Sequence, residues 1–416
     1  MSVQSGNLVP ARIAPSRRQL VASVALQTVG AVSALAVAFL ISRTLGLTAQ
    51  GRFGLLKGWT DVLVTLFLFG LPQSLLHYSY SDEVPVSRLR GFIRKYCTGL
   101  VGLALIGAVA GVFLKNSATS WIIMAVPGLV FHGLLRALLL RSGGVVAYSA
   151  VTIAPAVCLA ILVGVLVAFR LDKWEWAIAG ASMFSVLYVL VSAHLHGLQP
   201  TARCGPMPTG MWRSNLPAFV FNIGAAVQSA VLLSLMTKLT TSKTAAGELS
   251  FALYFLQIFA MFAGFVAPTL YDRYARSSAL GTVWKHDRSA MPRLAGYGFA
   301  GLVIVLLSLP SLLRTTFPAN YLAALGACLV MTTAGVALLA NRLLATVLQV
   351  CGRFDEMGLQ AIARLVLSVA GTVVLCAASV ATPALSAAIA VLISEVLVLG
   401  RAFYVVQKTL AAKVSA

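Results

Sequence analysis

"TAQGRFG", residues 48–54, lies between two long apolar runs, and "TAAGELS", residues 244–250, lies between two more. At an offset of 196 residues, Thr48, Ala49 and Gly51 fall on Thr244, Ala245 and Gly247. The flanks continue the match, with Phe69 on Phe265, Pro72 on Pro268, Tyr78 on Tyr274 and the polar Asp61 on Gln257. Matches held in register over about thirty residues indicate a duplicated unit, and a repeat decides the architecture before any single element does. The sequence reads as two copies of one helical unit, each opening with a span, a short outer turn and a second span. Gly51 and Gly247 are expected at those turns, where a residue without Cβ lets the chain reverse. Pro72 and Pro268 are expected to kink the second span of each copy near its inner end.

The chain has 416 residues, 59% of them hydrophobic and only 10% charged. A soluble domain carries about 25% charge. Apolar runs of about 20 residues recur from end to end, each long enough to cross ~30 Å of hydrocarbon as a helix. The alternating short strands of a barrel are not visible. The fold class is therefore an all-α polytopic membrane protein with twelve transmembrane helices. The spans fall near 19–42, 53–79, 96–114, 119–140, 145–169, 175–196, 215–237, 246–271, 293–313, 320–340, 357–380 and 383–404.

The net charge of +20 would suggest nucleic acid in a soluble protein. Here the bases sit in short loops, and no nucleic-acid partner is expected. With both termini inside, roughly two thirds of the 31 Lys and Arg fall on inner segments, the bias expected of cytoplasmic loops. Six spans separate the repeat copies, so the halves share one orientation and are related by an axis along the membrane normal. The divisions are a cytoplasmic segment 1–18, an N-terminal six-helix bundle 19–196, a cytoplasmic linker 197–214, a C-terminal six-helix bundle 215–404 and a cytoplasmic tail 405–416.

The loops are too short for a soluble domain, and no G-x-x-x-x-G-K-[ST] nucleotide loop occurs. Neither ATP-driven transport by this chain alone nor a catalytic domain outside the membrane is expected. The six cysteines (97, 158, 204, 328, 351 and 376) show no metal-ligand spacing and read as small buried hydrophobes. No metal and no cofactor are expected. "SRRQLVASVAL", 16–26, faintly resembles a twin-arginine signal. The apolar run 19–42 is long for a cleavable core, however, and a second such run opens the other copy near residue 215, so it reads as the first span.

Charges inside spans are costly and mark candidate sites. Lys57 and Asp61, spaced i, i+4, share one face of the second span. They either line a polar cavity or neutralise each other inside the bundle. Glu395, in the last span, has no basic neighbour within a turn, so its partner must come from another helix or from water. His132 and Arg136 repeat the i, i+4 spacing on span four, where Arg136 lines the cavity or reaches for headgroups. Arg342 beside Asn341 at the inner end of span ten carries the same two readings, and Arg364 enters span eleven. Gln27, Asn222, Gln228 and Gln257 read as interhelical glue. Gly99, Gly102, Gly107 and Gly111 read as close helix packing, and His194 and His196 as interfacial. The buried set is mostly cationic, which suits a phosphate-bearing substrate.

Arg43-x-Leu45-Gly46, Gly51-x-Phe53-Gly54 and Phe69-Gly70-Leu71 resemble the opening hairpin of bacterial polysaccharide repeat-unit (O-antigen) flippases of the Wzx type. "NRLLATVLQVCGRFD", 341–355, with Gln349 and Gly352-Arg353, resembles the segment after their tenth span. Length, span count and two-half repeat extend the likeness over the whole chain, and the motifs specify the wider multidrug/oligosaccharidyl-lipid/polysaccharide exporter superfamily better than the substrate. The resemblance implies two six-helix bundles in a V that alternate between inward- and outward-facing states in the bacterial inner membrane. It implies a cargo of undecaprenyl-diphosphate-linked oligosaccharide, moved from the cytoplasmic to the periplasmic leaflet for O-antigen, capsule or exopolysaccharide synthesis. A glycan polymerase and a chain-length regulator are the partners such a role suggests. It also implies a phosphate contact at Arg43.

Lys57, Arg136 and Arg342 join Arg43 as expected cavity cations from burial and spacing alone. Asp61, Glu395 and His132 are the expected ion-coupling or gating groups, with Glu395 the better proton carrier. The chain lacks room for the two additional spans of peptidoglycan-precursor flippases. Two other readings stand beside this one. A multidrug-type cation antiporter of the same fold would want an acidic cavity. A membrane-embedded polymerase, ligase or acyltransferase would want a long outer loop, and none is present.

Overall fold

The computed structural model describes residues 17–80, 86–113, 117–196, 211–240, 244–275 and 302–415. The N-terminal segment up to residue 16, residues 197–210 of the expected linker 197–214 with Cys204, and the start of the ninth expected span lie outside the described residues, while 211–214 already belong to a helix. The first half comprises α1 (Arg17–Leu68), α2 (Leu71–Tyr80), α3 (Val86–Phe113), α4 (Ser117–Ala168) and α5 (Trp174–Leu195). The second comprises α6 (Met211–Leu239), α7 (Ala245–Ala275), α8 (Leu302–Thr316), a 3₁₀ turn Ala319–Ala324, α9 (Leu325–Val350), α10 (Phe354–Ala377) and α11 (Pro383–Ser415). No strand occurs among the described residues, so the all-helical class stands.

Two of these helices are folded back on themselves. α1 breaks at Gly46 (φ 80°) and α4 at Gly144 (φ 75°). Ser42 Oγ lies 3.4 Å from Gln50 Oε1. His132 Nε2 lies 2.8 Å from the Val151 carbonyl oxygen, although nineteen residues of straight helix would span about 28 Å. Each break is therefore a tight antiparallel turn at a left-handed glycine, a conformation that costs a residue with Cβ far more. The described residues include ten long apolar helices, one of which is α1 with its two arms, and the shorter α8. The twelve expected spans are approximately recovered, with the α1 and α4 arms counted separately.

The first turn sits at Gly46, and residues 48–54 are helical. This corrects the expectation that Gly51 and Gly247 make the turns. Both glycines are helical and meet each other: a Cβ on Gly51 would lie 3.0 Å from Gly247 N, and one on Gly247 would collide with the Leu47 carbonyl group. Their missing side chains permit backbone contact between the halves, so the repeated motif is a contact and not a turn. The break expected at Pro72 lies just before it, at Phe69 (φ 45°) and Gly70 (φ 69°). α7 remains helical across Pro268. Gly107 and Gly111 pack on Ile123 and Ser120 of α4, as expected. Gly99 and Gly102 have nothing within 4 Å of an added Cβ, which overturns the close-packing reading for them.

Each half packs internally. In the first, the Ser23 and Ser149 hydroxyls are 2.6 Å apart between α1 and α4, and Ser182 donates to the Ala125 carbonyl from α5 to α4. In the second, Gly335 of α9 receives the Phe259 ring of α7, Gly371 of α10 faces Ala390 of α11, and Gly224 of α6 faces Ala361 of α10. Small residues at these crossings let helices approach closely, which is how packing replaces the hydrophobic effect within a bilayer.

Candidate functional site

The seam between the halves is closed at both ends. At the Gly46 end, Gln50 Nε2 donates to Ser250 Oγ (3.2 Å), Ser250 Oγ donates to the Gln50 carbonyl (3.3 Å), and the Tyr321 hydroxyl donates to the Ser42 carbonyl (3.0 Å). With the Gly51–Gly247 contact these form a buried joint. At the Gly70 end, Gln73 and Asn222 exchange two amide hydrogen bonds, of 3.1 and 2.9 Å. Phe69 packs on Phe219 with ring centroids 4.8 Å apart, and the Gly70 backbone lies against Asn215 and Phe219. Asn222 is thus interhelical glue as expected, across the seam between the bundles.

Lys57 and Asp61 lie between these closures. Lys57 Nζ donates to Asp61 Oδ2 at 2.6 Å, so the i, i+4 pairing holds. Arg52, Trp59 and Leu66 mark the outward stripe of this arm at heptad spacing. Lys57 and Asp61 lie on the other side. There Gly54 meets Ser250 and Gly58 meets Ala230. Their side chains nonetheless remain 35% and 46% accessible. This places an accessible ion pair on the side of the arm turned toward the second half.

The other expected residues are dispersed. Arg43 is exposed at the Gly46 end, its guanidinium 5.6 Å from the Phe39 ring centroid. His132 is buried and bound to the other arm of α4, and Arg136 stands 5.4 Å over Tyr148 of that arm, with its Nε without a partner. Arg342 is half-buried 4.8 Å over the Phe221 ring. His196 binds the Ser192 carbonyl and, with His194, lies exposed at the helix end. Gln27 is fully buried, with neither amide atom partnered, so the glue reading finds no bond there. Among the described residues no group of His, Cys, Asp or Glu could hold a metal ion, and five cysteines are free.

Glu395 receives its partners from other helices. Arg364 Nε of α10 is 2.6 Å from Glu395 Oε1, and Asn341 Nδ2 of α9 donates to Glu395 Oε2 at 2.7 Å and to its carbonyl at 2.9 Å. Arg364 and Glu395 are 2% and 1% accessible, so this is an ion pair in the interior of the second bundle. Arg342 follows Asn341 directly in the chain. Within the same bundle, the nitrogens of Gln228, Gln360 and Arg364 Nη1 are buried without an acceptor, as is the Asn341 Oδ1 without a donor.

No protein-family model matches the chain. No curated protein matches it. Solved structures do. The chain is similar to a MATE structure in complex with MaL6 at TM-score 0.67 and 11% identity, covering 96% of this chain and 98% of that one. It is similar to a MOP superfamily transporter from Pyrococcus furiosus, described as having a binding pocket of reverse polarity, at TM-score 0.63 and 10% identity, covering 95% and 94%. It is similar to a point mutant of the Vibrio cholerae MATE transporter VcmN at TM-score 0.65 and 13% identity, covering 95% and 97%. At these identities the likeness is one of fold, and the fold is that of MATE and MOP transporters over nearly the whole chain.

Proposed function

We propose that this protein is a transporter that works by alternating access and carries an anionic, lipid-linked cargo. The reading is an undecaprenyl-diphosphate-linked oligosaccharide, passed from the cytoplasmic to the periplasmic leaflet of a bacterial inner membrane with both termini cytoplasmic. The observation that carries it is the uneven charge of the interior. Lys57 is matched by Asp61 and Arg364 by Glu395. Arg136 and Arg342 rest on the rings of Tyr148 and Phe221. A diphosphate cannot shed its water into hydrocarbon unaided, and guanidinium groups within the bundles supply replacement donors, while a prenyl tail stays in lipid. The fold is compatible with pockets of opposite polarity, since the Pyrococcus furiosus neighbour is described in those words.

The second reading, a cation antiporter of the multidrug kind, is favoured by Asp61, an accessible carboxylate on the side of its arm turned toward the second half. The separating experiment uses proteoliposomes sorted for orientation, supplied with a fluorescent undecaprenyl-diphosphate oligosaccharide or with an organic cation. Translocation of the lipid from the face carrying the termini, reduced on the order of tenfold by Arg342→Ala or Arg136→Ala, is the expected result; tenfold corresponds to about 1.4 kcal/mol, well within a charge-assisted phosphate contact. Transport of the cation alone, abolished by Asp61→Asn, would replace this reading with the multidrug one.

A further inference from the structure

The interior of the second bundle has more positive charge and more donors than its own groups satisfy. Arg342 follows Asn341 in the chain and rests on Phe221, and the one carboxylate near it and Arg364 is Glu395, whose two oxygens are already engaged by Arg364 Nε and Asn341 Nδ2. Among the described residues of this bundle, Arg364 Nη1, Gln228 Nε2, Gln360 Nε2, Gln349 Nε2 and Asn215 Nδ2 are buried without an acceptor, against two acceptors without a donor, Asn341 Oδ1 and Asn215 Oδ1. Arg364 is 2% accessible, Gln360 1% and Gln228 7%.

The helices bring Gln228 and Arg364 to one level. α6 and α10 run side by side in one direction, with Gly358 against Pro217 and Gly224 against Ala361. One further turn along each sets Gln228 beside the level of Arg364. Gln360 lies one turn before Arg364 on the same face of α10. The Asn341–Glu395 bonds fix α9 and α11 at the same depth.

A buried donor without an acceptor loses its hydration with no return, and an unbalanced buried charge costs more. A single monovalent anion corrects both at once. It brings the count of Arg342, Arg364 and Glu395 to neutral and accepts from several N–H groups. Three of the four side chains, Arg364, Gln360 and Gln228, are only 1–7% accessible and leave no opening for a carboxylate or phosphoryl group carried on a large cargo; only Arg342 is half-buried. We propose that the second bundle holds one compact anion of halide size and charge among Arg342, Arg364, Gln228 and Gln360. Arg342 is shared with the proposed cargo contact, whereas Gln228 and Gln360 are not, so variants of those two glutamines separate this proposal from the cargo reading.

The test is thermal unfolding of the full-length protein in detergent, in sodium chloride against sodium gluconate at equal ionic strength. Equal ionic strength removes general screening as a cause. A ligand that binds only the folded state raises the midpoint with its concentration and then levels off, here by roughly 2 °C or more. The rise is expected in the wild type and absent in the Gln228→Leu/Gln360→Leu double variant. In gluconate that variant should melt no lower than wild type, because it removes two unsatisfied amides. Arg342→Gln, which removes the excess charge itself, should likewise lose the chloride response. Identical melting of the wild type in both salts overturns the proposal, and so does a chloride response that survives in both variants. A response to pyrophosphate with none to chloride overturns the halide assignment in favour of a phosphoryl group.

Discussion

Glu395→Ala should lower the stability of the folded protein by about 3–5 kcal/mol, the largest loss expected from any single charged residue here. Removing one member of a buried pair leaves the other charge uncompensated in a medium that cannot solvate it. Arg364 has no second carboxylate among its described contacts, and Asn341 would lose a bond as well. Arg364→Leu should behave in the same way for the mirror reason. The Arg364→Leu/Glu395→Leu double variant should recover most of the loss, because an apolar replacement of a whole buried pair is often neutral or better. Unfolding midpoints in detergent for the two singles and the double close a thermodynamic cycle. Singles no less stable than the wild type would mean that the pair is hydrated and contributes little. Lys57→Ala and Asp61→Ala form the internal contrast: that pair is more than a third accessible, and such pairs contribute only about 0–1 kcal/mol.

The second large effect is expected at the joint between the halves. A methyl group on Gly247 would collide with Leu47 O and stand 2.7 Å from Leu47 C. Backbone cannot turn aside as a side chain can, so Gly247→Ala should force the halves apart at the Gly46 end and abolish the proposed transport without unfolding either bundle. Spin labels at the exposed positions Arg52 and Lys238 report the separation by electron–electron distance measurement. Their distribution should lengthen in Gly247→Ala. In Gly99→Ala, where nothing lies within 4 Å of the new methyl, it should stay as in the wild type. An unchanged distribution together with full transport in Gly247→Ala would show that the contact is not needed for closure.

What the sequence revealed, and what it hid, follows the range of the interactions. Apolar runs of helix length are local, so the all-helical class and the approximate number of spans were legible. Lys57 and Asp61 were legible as a pair because four residues of helix place them on one face. The partner of Glu395 was legible only as a need. Nothing local indicates that Arg364, thirty-one positions earlier, lies at the same depth, or that Gln73 meets Asn222 across 149 residues. The glycines misled for a different reason. A sequence shows the absence of Cβ without showing whether that absence serves a positive φ or a close approach. Gly46 and Gly144 serve the first, Gly51 and Gly247 the second. The clue that could have separated them was the repeat itself, since both copies keep Gly51 and Gly247 while Gly46 has no glycine counterpart at position 242.

The Arg364–Glu395 pair also bears on how the chain is made. Translation delivers α10 before α11, so for a time Arg364 exists without its carboxylate. An arginine at the centre of a lone inserting helix is disfavoured by roughly 2.5–3.5 kcal/mol, enough to keep much of α10 from entering the bilayer alone. The connection between α10 and α11 is short, Ala378–Thr382, and it presents the two helices to the insertion machinery as a hairpin whose charges cancel. A chain ended at residue 380 should therefore leave α10 largely uninserted, as read by the glycosylation of an acceptor site placed after it. Extending the chain through Glu395 and the rest of α11 should restore insertion, and extending it with Glu395→Ala should not. Efficient insertion of the truncated chain would show that the bilayer accepts α10 without its partner, and that the ion pair forms only after both helices are in place.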